Sequence, residues 1–186
     1  DAQLATTTRL AWLRLAGRGI AALHTLSGHA ATTLEGTVRT LAGDLTELAD
    51  YQPAVRQVNP GLAARVEAAT ASLATIAGRQ PELAPVVSHG ALRTDQFLLD
   101  DNQLVLIDLD SVCWASPARD LGNLLAYLTW KALRQPQHAA FIQGAQQAFL
   151  AGYAQVRPLP ATDWLVLYQA ASLLKILGRR YTGLTY

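Results

Sequence analysis

Between residues 97 and 107 the apolar period of this chain changes, and that change limits what it can fold into. Phe97-Leu98-Leu99 and Leu104-Val105-Leu106-Ile107 are short apolar runs separated by Asp100-Asp101-Asn102-Gln103. Such runs around a polar turn predict a β-hairpin. On both sides the spacing is helical. Thr8 to Leu26 carries Leu10, Leu13, Gly17, Ile20 and Leu23 on one stripe, ending at Ser27-Gly28. Leu34, Val38, Leu41, Leu45 and Leu48 alternate four- and three-residue steps, which predicts a single amphipathic helix. Asn59-Pro60 supplies an N-cap and a first-position proline for a helix running through Leu62, Val66, Ala69, Leu73 and Ile76 to Gly78. After Pro117 the helical period returns through Leu121, Leu124, Leu125, Leu128 and Ala132 and closes at Gln135-Pro136. Helices over 138–156 and 161–177 follow. The expected order is a helical block (1–83), a loop-and-hairpin block (84–112) and a second helical block (113–186), together one domain.

Composition narrows the function classes. With 51% hydrophobic residues in 186, the chain can build a core, so disorder and a disulfide scaffold are disfavoured. Cys113 is the lone cysteine, which excludes an internal disulfide and points to a reducing compartment, the cytoplasm by default. A net charge of +1 with dispersed arginines argues against a nucleic-acid or polybasic membrane surface. No run is long enough to span a membrane, and Asp1-Ala2-Gln3 does not open a signal pattern. The absence of any methionine is expected of a processed chain or a piece of a longer one.

The polar residues that could carry chemistry are concentrated between Ser88 and Asp120. A hairpin entered from His89-Gly90 and left at Asp108 brings its two ends together, because antiparallel strands return to their origin. Gln96 and Asp108 then face one site. An amide oxygen beside a carboxylate is a hard donor pair suited to Mg²⁺, which keeps waters and takes further ligands from nucleotide phosphates. This points to phosphoryl transfer. Other residues have plainer roles. Asp100, Asp101 and Asn102 suit the hairpin turn. His24 and His29 suit helix-terminal positions, Cys113 a buried one, and Trp12, Trp114, Trp130 and Trp164 core or lobe-interface packing.

The stretches His89-Gly90-Ala91, Gln96, Ile107-Asp108-Leu109-Asp110 and Pro117-Ala118-Arg119-Asp120-Leu121 occur in one order over most of the chain. In that order they resemble the C-terminal lobe of the aminoglycoside phosphotransferase and choline kinase family, relatives of protein kinases. Leu23-His24-Thr25-Leu26 resembles the end of that family's first large helix, and Gln at position 96 resembles the maltokinase-like and bacterial sugar-kinase branch. The resemblance implies a mostly α fold with a small antiparallel β-hairpin, the C-lobe of a protein-kinase-like α+β fold without its N-lobe. It also implies ATP and Mg²⁺ as cofactors and a small-molecule hydroxyl acceptor of the sugar or aminoglycoside class.

By the same resemblance Gln96 and Asp108 bind the metal and cofactor. Asp110 is either a second metal contact or a turn acceptor. His89 is a catalytic-loop residue that either shapes the loop or carries a proton, and Asp120 is structural, fixing the His89-Gly90 loop from below. Two departures bear on activity. The position of the family's catalytic Asp is Ala91, whose methyl group cannot accept a proton; Asp95, four positions on, is the nearest substitute. No glycine-rich strand-turn-strand precedes Thr8, so the roof of a nucleotide site would have to come from an N-lobe upstream. The expectation is a phosphotransferase lobe of impaired activity; the alternative is a degenerate kinase-like domain that binds a ligand or protein.

Overall fold

A computed structural model describes residues 2–26, 38–81, 83–100 and 103–182. Its elements run α1 (Ala2–Leu23), β1 (Val38–Arg39), α2 (Leu41–Glu47), a 3₁₀ turn (Leu48–Tyr51), α3 (Gln52–Val58), α4 (Pro60–Ala77), β2 (Val86–Ser88), β3 (Phe97–Asp100), β4 (Gln103–Leu106), β5 (Cys113–Ala115), α5 (Pro117–Arg134), α6 (Ala139–Ala154) and α7 (Thr162–Thr182). Further 3₁₀ turns cover Thr94–Gln96, Leu109–Ser111 and Pro136–His138. The order of helices, hairpin and helices is the one expected.

Local chemistry sets the helix starts. The Asn59 side chain accepts from Leu62 N at 2.9 Å, with Pro60 opening α4. Ser116 accepts from Ala118 N at 3.2 Å, and Pro117 opens α5. Each cap satisfies an amide that has no partner inside the helix.

One expected helix is corrected. Leu34 lies outside the described residues, and Val38 belongs not to a helix but to β1, where it is exposed and pairs with Trp114. The helix begins only at Leu41, because the Thr40 hydroxyl caps it by accepting from Gly43 N at 3.1 Å. Leu41, Leu45 and Leu48 do turn into the core. Two other elements were not anticipated: α3, and β5 at the start of the second helical block. Trp12 is largely exposed rather than packed in the core.

β5 is the centre of a three-stranded sheet, parallel to β1 and antiparallel to β2, with Ser88 opposite Cys113. β3 and β4 form the separate hairpin, with Phe97 opposite Leu106 and Asp100 opposite Gln103. That register leaves a two-residue turn at 101–102, which lies outside the described residues.

The helices pack around Ile20, Leu41, Leu92, Leu121, Leu124, Phe149 and Leu167. Burying a side chain such as Phe149 contributes about 1.5–3 kcal/mol relative to leaving it in water. α1 and α6 touch backbone to backbone. A Cβ on Gly17 would lie 2.0 Å from the Phe149 carbonyl oxygen, and one on Gly152 would lie 1.9 Å from that of Arg14. This close contact places Tyr153 of α6 beside the end of α1, where His24 enters the site. No helix among the described residues is long and apolar enough to cross a membrane.

Candidate functional site

The site begins where β2 ends. Ser88 delivers His89 and Gly90 into a bend whose backbone amides point inward, and Asp120, in the first turn of α5, accepts both. His89 N donates to Oδ2 at 2.7 Å and Gly90 N to Oδ1 at 2.9 Å. Gly90 has a φ of 85°, and a Cβ there would meet the Ser111 carbonyl oxygen at 2.0 Å, so only glycine fits.

Asp120 is fully buried and also bonds His24 Nε2 at 3.1 Å. A carboxylate only accepts, so Nε2 carries the proton, and Nδ1 on the other side of the ring bonds the Tyr153 hydroxyl at 2.9 Å. Burial raises the Asp120 carboxyl's pKa. The bond and charge of His24 and the two backbone N–H groups more than offset this, leaving it below its ordinary 3.8. Burial pushes the Tyr153 phenol up to about 12, so it remains a donor. Asp120 thus bonds both amides of the His89-Gly90 bend, and His24 at the end of α1 is held by the same carboxylate.

His89 is committed on both ring nitrogens. Nε2 donates to the Ile107 carbonyl at 3.0 Å, and Nδ1 faces Ala91 N at 3.4 Å. It ties the bend to the end of β4. The same tie is made through the main chain, since Ile107 N donates to Gln96 O at 3.0 Å. This bond closes the open end of the hairpin and brings Gln96 against Asp108.

The Gln96 and Asp108 side chains meet at 2.6 Å, with Gln96 Nε2 donating to Asp108 Oδ2. Gln96 Oε1 accepts from Arg93 N at 2.6 Å, which fixes the orientation of the amide. Asp108 adopts left-handed backbone with a φ of 64°, a conformation that Asp tolerates better than most residues. Its side chain is about half exposed, with Arg93 Nη2 at 3.6 Å from Oδ2. Gln96 and Asp108 line a polar cleft of about 110 Å³ together with Ala91, Arg93, Asn123, Tyr127 and residues of α7.

Asp95 and Asp110 do not line this cleft. Asp95 is exposed and pairs with Arg93 Nε at 3.4 Å, and Asp110 is exposed on the Leu109–Ser111 turn. The cleft stands apart by its chemistry, not its size. A larger cavity, about 630 Å³, lies behind α2 between α4 and Trp164, but its walls are mainly apolar and hold none of the expected residues.

Among the described residues no three His, Cys, Asp or Glu side chains gather into a metal cage. A cation would rest on Asp108 with water and phosphate oxygens, the manner in which Mg²⁺ is usually held. Gln96 would join through Oε1 after rotating its amide and releasing Arg93 N. As placed, the pair meets as a hydrogen bond, amide nitrogen to carboxylate, and not as the two oxygen donors expected.

Several residues of the site carried no readable signal in the sequence. Arg119 is buried behind the loop, donates Nη1 to the Gly90 carbonyl, and grips Asp44 of α2 through Nε and Nη2 at 2.8 and 2.9 Å. Burial lowers the guanidinium's pKa, but the Asp44 bonds and charge raise it further, so it stays charged. Lys175 of α7 bonds Glu47 at 2.5 Å. In the sequence Arg119 stands out only as a charge inside an apolar helix start, and Lys175 and Arg179 only as polar positions one turn apart.

Solved structures with this architecture include an aminoglycoside-3'-phosphotransferase of type VIII, at 21% identity and a TM-score of 0.61 over 94% of this chain and 62% of that one. Another is aminoglycoside phosphotransferase APH(3'')-Id from Streptomyces rimosus in complex with ADP and streptomycin, at 23% identity and 0.56 over 89% and 62%. A glucosamine kinase matches at 20% identity and 0.58 over 98% and 49%. These likenesses show the fold, and this chain spans less than two thirds of each relative. No protein of curated function matches the sequence significantly. The family model described as "Phosphotransferase enzyme family" matches residues 2–159, most of the chain. The chain therefore belongs to the phosphotransferase enzyme family.

Proposed function

We propose that this chain is the metal- and acceptor-binding lobe of an ATP-dependent small-molecule phosphotransferase, with turnover impaired by Ala91. The observation that carries this reading is the convergence of Ala91, Gln96 and Asp108 on one polar cleft, with the loop anchored by a buried carboxylate. When bound, Mg²⁺ would neutralise charge on the transferring phosphoryl group. This chain's residues would hold it through Asp108 and a rotated Gln96, while the Asp120-anchored loop presents position 91 to the acceptor hydroxyl.

The Ala91 methyl neither orients that hydroxyl nor takes its proton, an omission worth about 10²–10⁴-fold in rate. Asp95 is exposed and outside the cleft, so its placement does not supply a replacement. The acceptor class we infer is a hydroxyl-bearing sugar or aminoglycoside, and the adenine-covering half of the site is assigned to an N-lobe. The lone, buried Cys113 supports a reducing compartment, the cytoplasm.

Ala91 also favours a second reading, a binding module that keeps the cleft without the chemistry. Titrating MgADP into the full-length protein while following the Gln96 side-chain amide by NMR tests the common core of both. A shift that requires Mg²⁺ and is lost in Asp108→Asn is expected, and no shift at saturating MgADP refutes a nucleotide site. Phosphoryl transfer to glucose, glucosamine and kanamycin then separates the two. A gain of about 100-fold or more in Ala91→Asp supports an impaired enzyme. No gain supports the module.

A further inference from the structure

We propose that the acceptor end of the cleft selects a polyol carrying an oxyanion, a carboxylate or phosphate, and that Arg179 makes the selection. This rests on the phosphotransferase reading above, for it names the acceptor class of the same site.

The inference follows from pairing the charges on the cleft walls. Four cations line it: Arg93, Arg119, Lys175 and Arg179. Arg119 is saturated by Asp44 and the Gly90 carbonyl. Lys175 is bonded to Glu47. Arg93 lies against Asp108 and over the Tyr127 ring.

Arg179 differs. Among the described residues it has no carboxylate partner. Its Nε donates to the Tyr51 hydroxyl at 3.4 Å, and Tyr127 is its other neighbour. Phenol oxygens orient a guanidinium without cancelling its charge, and the planar fork of Arg matches a carboxylate or phosphate.

The acids facing the cleft give the complementary result. Asp44 is held by Arg119, and Asp108 belongs to the Gln96 and metal end. An incoming ammonium group therefore finds no unengaged carboxylate at the α7 wall and is repelled by Arg179. A hydroxyl-bearing body is still accommodated. Ser172 lies one turn before Lys175, and Asn123 donates Nδ2 to the Leu92 carbonyl, which leaves its Oδ1 to accept from a hydroxyl. A polycationic acceptor fits this wall poorly.

Glucuronate, glucose and glucosamine present one ring with an anionic, a neutral and a cationic substituent, and calorimetric titration of each into the full-length protein tests the idea. Glucuronate is expected to bind about tenfold or more tighter than glucose, with glucosamine weakest, since a hydrogen bond to a charged group contributes at about that level. Arg179→Gln should bring the three within about threefold of one another, and added salt should narrow the wild-type gap. Equal binding, a preference for glucosamine, or a preference that survives Arg179→Gln overturns the proposal. If the variant does not fold, the order of the three sugars on the wild-type protein still decides.

Repeating the glucuronate titration with saturating MgADP locates the anion. Unchanged affinity supports the acceptor end, and displacement by MgADP overturns the assignment by placing the oxyanion where nucleotide phosphates go. MgADP binding without a charge preference sinks this proposal alone. A charge preference without MgADP binding sinks the nucleotide reading and leaves the oxyanion site standing.

Discussion

Removing the Asp120 carboxylate should be among the most damaging single changes to this fold. Asp120→Ala takes away the acceptor of two backbone N–H groups at 2.7 and 2.9 Å and of His24 Nε2 at 3.1 Å, all in a site closed to water. Each buried donor left unsatisfied costs about 1–3 kcal/mol. Three such losses, partly relieved by local rearrangement, give about 3–5 kcal/mol, the range found when one partner of a buried ionic cluster is removed. Against a typical stability of about 5–15 kcal/mol this is a large fraction. Asp120→Asn keeps one oxygen acceptor but turns an NH₂ toward the other amide, so a cost of about 2–3 kcal/mol is expected.

Urea unfolding followed by circular dichroism measures this, and with a slope of about 2–3 kcal/mol/M the alanine variant should lose about 1–2 M in midpoint. The pH dependence is a second reading of the same site. The folded-state pKa of Asp120 lies below the ordinary 3.8, so its stabilisation is complete above that value and declines as pH falls below it toward the folded value. The Asn variant should lose that part of the acid-induced decline. A midpoint shift under about 0.3 M for Asp120→Ala would show that the loop is held by something else.

Other expected outcomes are simpler to state. Gly152→Ala forces a Cβ to within 1.9 Å of the Arg14 carbonyl oxygen and should lower the melting temperature by about 4–10 °C in calorimetry, from an overpacking cost of about 2–3 kcal/mol. Asp44→Ala strands the buried Arg119 guanidinium, for an expected loss of about 3–5 kcal/mol in urea unfolding, and Arg119→Ala in that background should cost little more. Asp108→Asn should leave the unfolding free energy from urea titration within about 0.5 kcal/mol of wild type, because the site is half exposed and Asn tolerates left-handed backbone, while removing the Mg²⁺-dependent NMR shift with MgADP.

The parts of the fold legible in the sequence are those with local causes. Asn59-Pro60 and Pro117 announce helix starts because opening a helix needs only neighbours. The hairpin could be read because its turn and both strands lie within eleven residues. β1 and β5 could not, since strands of two and three residues carry no period and exist only through pairing partners 76 residues apart in the case of Val38 and Trp114. Val38 fits the heptad-like spacing of its neighbours, but β-pairing and the Thr40 cap overrule it.

The site shows the same division. Gln96 facing Asp108 follows from hairpin geometry, whereas the Asp44–Arg119 pair joins residues 75 apart and His24–Tyr153 residues 129 apart. Arg179 could not be singled out before every nearby carboxylate had been assigned to another cation.

The bend at His89-Gly90 is shaped by Asp120 beneath it, by Arg119 on the Gly90 carbonyl and by the His89 ring reaching Ile107. None of these ties runs through the side chain of residue 91, which contributes only its amide. Shape and side-chain identity are therefore uncoupled at that position: the bonds that hold the bend bypass the side chain of residue 91, so that group can be exchanged without removing any of them.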